Sequence, residues 1–407
     1  MNRKQFILLL LFLAIIGSAG LVLLKSNKHS WTERDIRVGE KLLPRFRYND
    51  VAAIHLQGEV EVNVVRTNAT WRVRERRDYP ANLQQIRDLL MKTRDLKVMQ
   101  SESIGPSQLA RVDLEDPIRA ARVMASRATT RRPEGMESGS SAETAPAGCG
   151  ILLEFKDDRG AILDTLLVGK MHQRHQNESE PMGIHGFFDG RYVLLPNDPD
   201  HVLLISDELA SVSERPEAWL SREFIKVDGA KSISLSSTNG ASLWTLTRES
   251  DSALWALSDS RAAAGEELDA NAVSQIVELL RFLSFLDVAA DARAGAASAN
   301  SDKPMILLIE TFDHFFYTLK IGAKRADGNY PLTFSVNADI PGERGSGKDD
   351  KLDDARKADD DFQDKMKLLR DKLARESELA RAGWVYIMDS HLIEPLLRTR
   401  DQLLQKK

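Results

Sequence analysis

The 407-residue chain is long enough for two domains of ordinary size, and it carries 56 Lys/Arg against 61 Asp/Glu, a net charge of −5. This slightly acidic balance argues against a nucleic-acid surface, which needs clustered basic charge to neutralise phosphates. Cys149 is the only cysteine, which excludes an intramolecular disulfide and a cysteine-built zinc site.

The most apolar stretch comes first. Phe6–Leu24, FILLLLFLAIIGSAGLVLL, contains no charge and, as a helix, is long enough to cross the hydrocarbon core of a bilayer. Arg3 and Lys4 precede it, so residues 1–5 are expected on the cytoplasmic side of the membrane and the body on the exported side. A cleaved signal peptide is the alternative. Gly17–Gly20 supplies small residues, but Leu21–Leu24 continues the apolar run after them, which suits an uncleaved anchor. Beyond residue 28 the chain carries 52 basic and 61 acidic residues, and no later segment is apolar enough to span a membrane.

Residues 25–50 form a connector broken by Pro44. A first α+β repeat is expected over 51–224. Val51–Leu56, Val60–Arg66 and Thr70–Arg74 alternate apolar and polar residues as half-buried strands do, with a turn at Thr67-Asn68-Ala69. Asp78 or Tyr79 is placed to cap a helix that opens on Pro80 and runs to Val98, with Leu83, Ile86, Leu89 and Leu90 as its buried stripe. Ile151–Phe155 and Ala161–Gly169 read as a hairpin around Lys156–Gly160. Arg191–Leu195 then leads into a terminal helix over His201–Leu209.

A second repeat over 225–407 follows the same order. Lys231–Leu235, Leu243–Arg248 and Ala253–Leu257 read as strands. Asp269 caps a helix over Ala270–Val288 with Val273, Ile276, Leu280 and Leu283 on its inner face. With an offset of 190, Gln85, Ile86, Leu89, Leu90, Leu96 and Val98 recur as Gln275, Ile276, Leu279, Leu280, Leu286 and Val288. Met305–Thr311 and Phe315–Gly322 repeat the hairpin, and Trp384–Met388 leads into His391–Leu404. The expected fold class is α+β: an N-terminal transmembrane helix, then two related units of mostly antiparallel sheet with packed helices.

Two inserts interrupt the pattern. About 125–150 is rich in Gly, Ser, Ala and Pro and is expected to be a surface loop; Cys149 within it reads as an incidental thiol, with an intermolecular disulfide or a lipid as the alternatives. About 341–383 alternates Lys/Arg with Asp/Glu, as an exposed helix does. Phe362, Met366, Leu369 and Leu373 form a stripe expected to pack on the body.

Candidate chemistry is sparse. Gly342–Lys348 fits G-x-x-x-x-G-K, but Asp349 stands where a phosphate loop needs Ser or Thr, so a linker is expected. His172, His175 and His185, with Glu178, Glu180 and Asp189 nearby, form a weak candidate metal cluster in a segment of loop composition. No nucleophile elbow and no dinucleotide-binding turn occurs, so no catalytic residue and no cofactor is assigned.

GEKLLPRFRYNDVAAIHL after the anchor, TWRVRERRDYPANLQQIRDLL, ARVDLEDP, LLVGK and EAWLSREF resemble, in their order, the bacterial membrane-anchored domain-of-unknown-function family 4340. That resemblance carries no catalytic residues. It implies an envelope component that accompanies ABC-type exporters or gliding-motility-like complexes and works through protein contacts. The expectation is thus a non-enzymatic accessory or scaffold subunit, anchored in the bacterial inner membrane through residues 6–24 with its body periplasmic. The alternative is a periplasmic glycan- or lipid-binding module, or a hydrolase, with a site between the repeats.

Overall fold

The computed structural model describes residues 38–130, 148–173, 188–258, 266–290, 304–342 and 352–405. The apolar run Phe6–Leu24 lies outside them. Among the described residues, no helix is long and apolar enough to cross a membrane. The chain divides into two compact units, one of Met1–Arg74 and Ala81–Trp219, the other of Glu75–Pro80 and Leu220–Lys407.

In the first unit the strands are β1 (Ala53–Gln57), β2 (Glu61–Thr67), β3 (Thr70–Val73), β5 (Val98–Ser103), β6 (Ile151–Lys156), β7 (Ile162–Gln173), β8 (Phe188–Leu195) and β9 (Asp198–Ile205); β4 (Tyr79–Pro80) counts with the second unit. Their order across the sheet is β3-β2-β1-β6-β7-β8-β9-β5, and every pairing between neighbours is antiparallel. Alternation buries Ile54, Leu56, Val62, Val64, Leu153 and Phe155 completely, while His55, Asn63 and Glu154 stand on the other face. The β2–β3 turn places Asn68 and Ala69 at φ 51 and 64, both left-handed.

The second unit holds β10 (Ala230–Ser237), β11 (Ser242–Thr247), β12 (Ala256–Leu257), β13 (Asp287–Val288), β14 (Met305–Thr311), β15 (Phe315–Ile321), β16 (Tyr330–Ala338) and β17 (Tyr386–Met388). Their order is β12-β11-β10-β14-β15-β16-β17-β13. Written by succession, and with the two-residue β4 left out, the two orders are the same. Each has a helix that carries the chain from one sheet edge to the other: α1 (Leu83–Asp95) between β3 and β5, and α3 (Ala270–Arg281) between β12 and β13.

Several expectations are corrected. The first helix begins at Leu83, not Pro80, and its cap is Asn82, whose side chain accepts from the Gln85 N–H. Tyr79 and Pro80 are extended instead, and Leu83 is 44% exposed rather than part of the buried stripe. Asp269 does cap α3, accepting from the Asn271 and Ala272 N–H groups. His201–Leu209 is not a helix, because Asp198–Ile205 is the strand β9. By sheet position, Arg191–Leu195 in β8 therefore corresponds to β16 and not to Trp384–Met388. Residues 125–130 are helical, being the end of α2 (Pro117–Thr130). His391–Leu404 is three short helical turns, Ser390–Ile393, Glu394–Leu397 and Arg400–Leu403, with a break at Arg398–Thr399.

The charged run forms α4 (Leu352–Arg381), placed between β16 and β17 where the first sheet has a tight β8–β9 turn. Met366 is buried and Phe362, Leu369 and Leu373 are half-buried, whereas Leu368 is 69% exposed. One stripe thus faces the sheet and the remainder faces solvent.

Candidate functional site

In the second unit a buried carboxylate, Glu376, serves the docking of α4. Glu376, 5% exposed, accepts from the Tyr317 hydroxyl at 2.9 Å and from the Lys226 N–H at 3.3 Å. Lys372, one turn earlier, donates to the Lys226 carbonyl at 2.7 Å and lies over the rings of Phe315 and Tyr317. Burial pushes the Glu376 carboxyl above the ordinary carboxylate range, against the pull of Lys372 and the Tyr317 and Lys226 donors. Burial and the Glu376 charge push the Tyr317 hydroxyl up as well. Tyr79, Phe224, Phe285, Trp384 and Tyr386 pack edge-on and tilted with neighbouring centroids 4.6–6.1 Å apart, an aromatic core rather than an open site.

In the first unit the sheet face carrying His55 is divided along β6. At one end stands a charged row. His55 lies between Asn63 of β2 and Glu154 of β6 in register. Its Nδ1 is 2.8 Å from Glu154 Oε2 and its Nε2 is 3.1 Å from Glu61 Oε1. Lys156 Nζ is 2.8 Å from Glu154 Oε2. Burial raises the Glu154 carboxyl, but Lys156 and His55 together hold it below its ordinary range. The Asn63 amide, with the His55 charge, holds Glu61 low against a smaller burial effect. His55 thus bridges two carboxylates, and Lys156 pairs with one of them, a hydrogen-bonded and ion-paired row on a half-buried face.

Two residues along β6 from Glu154, the same face becomes apolar. Leu152 opposes Leu167 on β7, Leu167 opposes Leu194 on β8, and Leu194 opposes Val202 on β9, giving one row of apolar side chains across four strands. Leu114 joins the buried cluster from above, with Leu109 packed against it. The covering segment, residues 106–116, lies close because two glycines beneath it have no side chain. A Cβ on Gly169 would meet the Val112 carbonyl oxygen at 2.4 Å, and one on Gly150 would meet that of Asp113 at 2.7 Å. This is the physical meaning of the glycine in LLVGK.

Between this floor and α2 is a cavity of about 650 Å³, with walls from Pro106, Leu109, Val123, Pro196 and Pro199 and a polar rim of Glu115, Asp116 and Arg119. Its size and apolar lining with few polar groups match a ligand pocket. A second hollow of about 410 Å³ lies beside it, lined by Cys149, Gly169 and the buried Arg191 among others. The Arg191 guanidinium is committed to the Gly169 and Leu209 carbonyls at 2.7 and 3.1 Å. Burial and the carboxylates of Glu115, Asp116 and Asp113 raise the Cys149 thiol, so it is a poor nucleophile at neutral pH.

Of the histidines singled out above, His172 lies on β7, with Nδ1 2.6 Å from Asp189 Oδ1 and its ring edge-on to Tyr192. His175 and His185, with Glu178 and Glu180, lie outside the described residues, as do residues 343–348 of the glycine-rich motif. Among the described residues, no group of three or more His, Cys, Asp or Glu is placed to hold a metal ion. Neither the His55 row nor the pocket was picked out from the sequence. Both depend on strand register, which a linear reading does not supply.

The family model described as Domain of unknown function (DUF4340) matches residues 71–304, more than half of the chain. The chain belongs to this family. The matched region takes in α1, the pocket and the first strands of the second sheet, and the family's description assigns no activity. No curated protein and no solved structure matches the chain.

Proposed function

We propose that this family member is a membrane-anchored, non-enzymatic accessory or scaffold protein of the bacterial envelope, working beside an ABC-type exporter or gliding-motility-like complex. In this reading Phe6–Leu24 is the anchor and the two units, built to one strand order, descend from a duplicated ancestor. The observation that carries it is α4. The helix is inserted at a position where the other sheet needs only a turn, and it uses one stripe to dock. Its outer face of alternating charge, with Leu368 exposed, is a surface available to a partner. Crosslinking in native membranes followed by pull-down of the full chain tests this. Recovery of a transporter or envelope subunit is expected, lost when outer-face charges of α4 are reversed. Recovery of the chain with no such partner overturns it.

A second reading is favoured by the pocket of the first unit, which suits an apolar ligand better than a protein. Under it the chain is an envelope lipid-binding module.

A further inference from the structure

We propose that the pocket of the first unit holds the alkyl chain of a zwitterionic phospholipid, with the headgroup's ammonium at Glu115 and its phosphate at Arg119. The proposal rests on the lipid-binding reading and names the lipid class. Three features of the pocket carry it.

The floor is linear. Leu152, Leu167 and Leu194 are register partners on adjacent strands, so they form a row roughly 10 Å long at the ordinary strand spacing. About 650 Å³ above such a row accommodates one extended chain. The rim at one end is charged in both senses. Asp116 accepts from the Ile118 and Arg119 N–H groups at 2.8 and 3.2 Å and so is committed to the start of α2. Among the described residues, no side-chain hydrogen bond or ion pair engages the Glu115 carboxylate or the Arg119 guanidinium. A carboxylate and a guanidinium on one rim complement an ammonium and a phosphate in one headgroup, and a purely anionic head would meet two carboxylates for one guanidinium.

The third feature is access. The described chain begins at Val38, which bridges to Val98 in the first unit. Thirteen residues separate it from Leu24, so their full extension keeps this unit within about 50 Å of the anchor's end. The chain's own residues 131–147, RRPEGMESGSSAETAPA, contain one large apolar side chain, Met136, and make a poor plug for a leucine-floored pocket.

The full chain in phosphatidylglycerol nanodiscs would be exposed to lysophosphatidylethanolamine bearing a diazirine in its chain, and separately to the matching lysophosphatidylglycerol. After irradiation, labelled peptides would be mapped by mass spectrometry. The ethanolamine probe is expected to label Leu109, Leu114 or Val123, about tenfold more than the glycerol probe. Ala120→Trp, which fills the cavity from α2, is expected to abolish this labelling, and Glu115→Gln and Arg119→Gln to lower it about tenfold with unchanged circular dichroism. Equal labelling by both probes overturns the headgroup assignment and leaves the lipid-binding reading standing. No pocket label from either probe, or label confined to residues 6–24, overturns both.

Discussion

Glu376 shows how one buried acid ties stability to pH. Its carboxyl titrates above the ordinary range in the folded protein because burial disfavours the charge. The folded state therefore holds a proton that the unfolded chain has released. The stability this confers is complete below the ordinary carboxylate pKa and falls away as pH rises through the raised value. Glu376→Gln, which retains an acceptor for the Tyr317 hydroxyl, is expected to flatten that pH dependence without lowering the melting temperature at pH 7. Glu376→Leu strands the hydroxyl and is expected to cost about 1–3 kcal/mol. Thermal melts of the three proteins across pH 4–8 decide the matter, and a steep dependence surviving in Glu376→Gln would refute it. Backbone strain offers a second prediction. Ala69 has φ 64, a conformation that costs a residue with a Cβ roughly 1–2 kcal/mol. Ala69→Gly is expected to raise denaturant stability by about 1 kcal/mol, the relief of left-handed strain outweighing the added chain entropy. Residue-level structure was legible where it is local, as with the Asp269 cap and the turn at Asn68-Ala69. It was illegible where it depends on register, as with His55 between Glu61 and Glu154.

At the scale of elements, α1, α3 and α4 were readable and their ends less so, while α2 (Pro117–Thr130) was not read as a helix. Pro80 satisfies the sequence rule for a first helical position. In the folded chain, however, Tyr79 belongs to an aromatic core with Phe285, Trp384 and Tyr386, and a segment held there cannot also begin the helix. Asn82 caps instead. The strand β9 was misread as a helix because VLLI, in HVLLISDEL, is continuously apolar, and periodicity does not separate a buried strand from a short helix. The stripe of α4 was legible because it repeats over three turns. It also permits a sharp comparison within one helix. Met366→Ala removes a side chain 4% exposed and is expected to cost about 2–5 kcal/mol. Leu368→Ala, two residues away but 69% exposed, is expected to change stability by less than about 0.5 kcal/mol while weakening any partner contact. Urea denaturation of both variants, paired with the crosslinking yield, separates docking of α4 on its own sheet from docking on a partner. Equal costs for the two variants would show that the helix does not pack by this stripe.

For the molecule as a whole, the common strand order explains why the helix pair carries the clearest internal repeat. In each unit the first three strands lie on one side of the sheet and the strand after the helix lies at the opposite edge. The helix is the crossover between those edges, and α1 buries Ile86 and Leu90 where α3 buries Ile276 and Leu280. Each unit has its own buried core, and under the proposal above Phe6–Leu24 serves to attach them. The full chain is therefore expected to stay with membranes after high-salt and alkaline washing, and a chain lacking residues 1–24 to be released with the same circular dichroism spectrum. Release of the full chain by the same washes, with a mature N-terminus beyond Gly20, would replace the anchor by a cleaved leader. In that event the first unit would no longer be tethered within reach of the bilayer, and any lipid in its pocket would have to be captured from solution or from a partner.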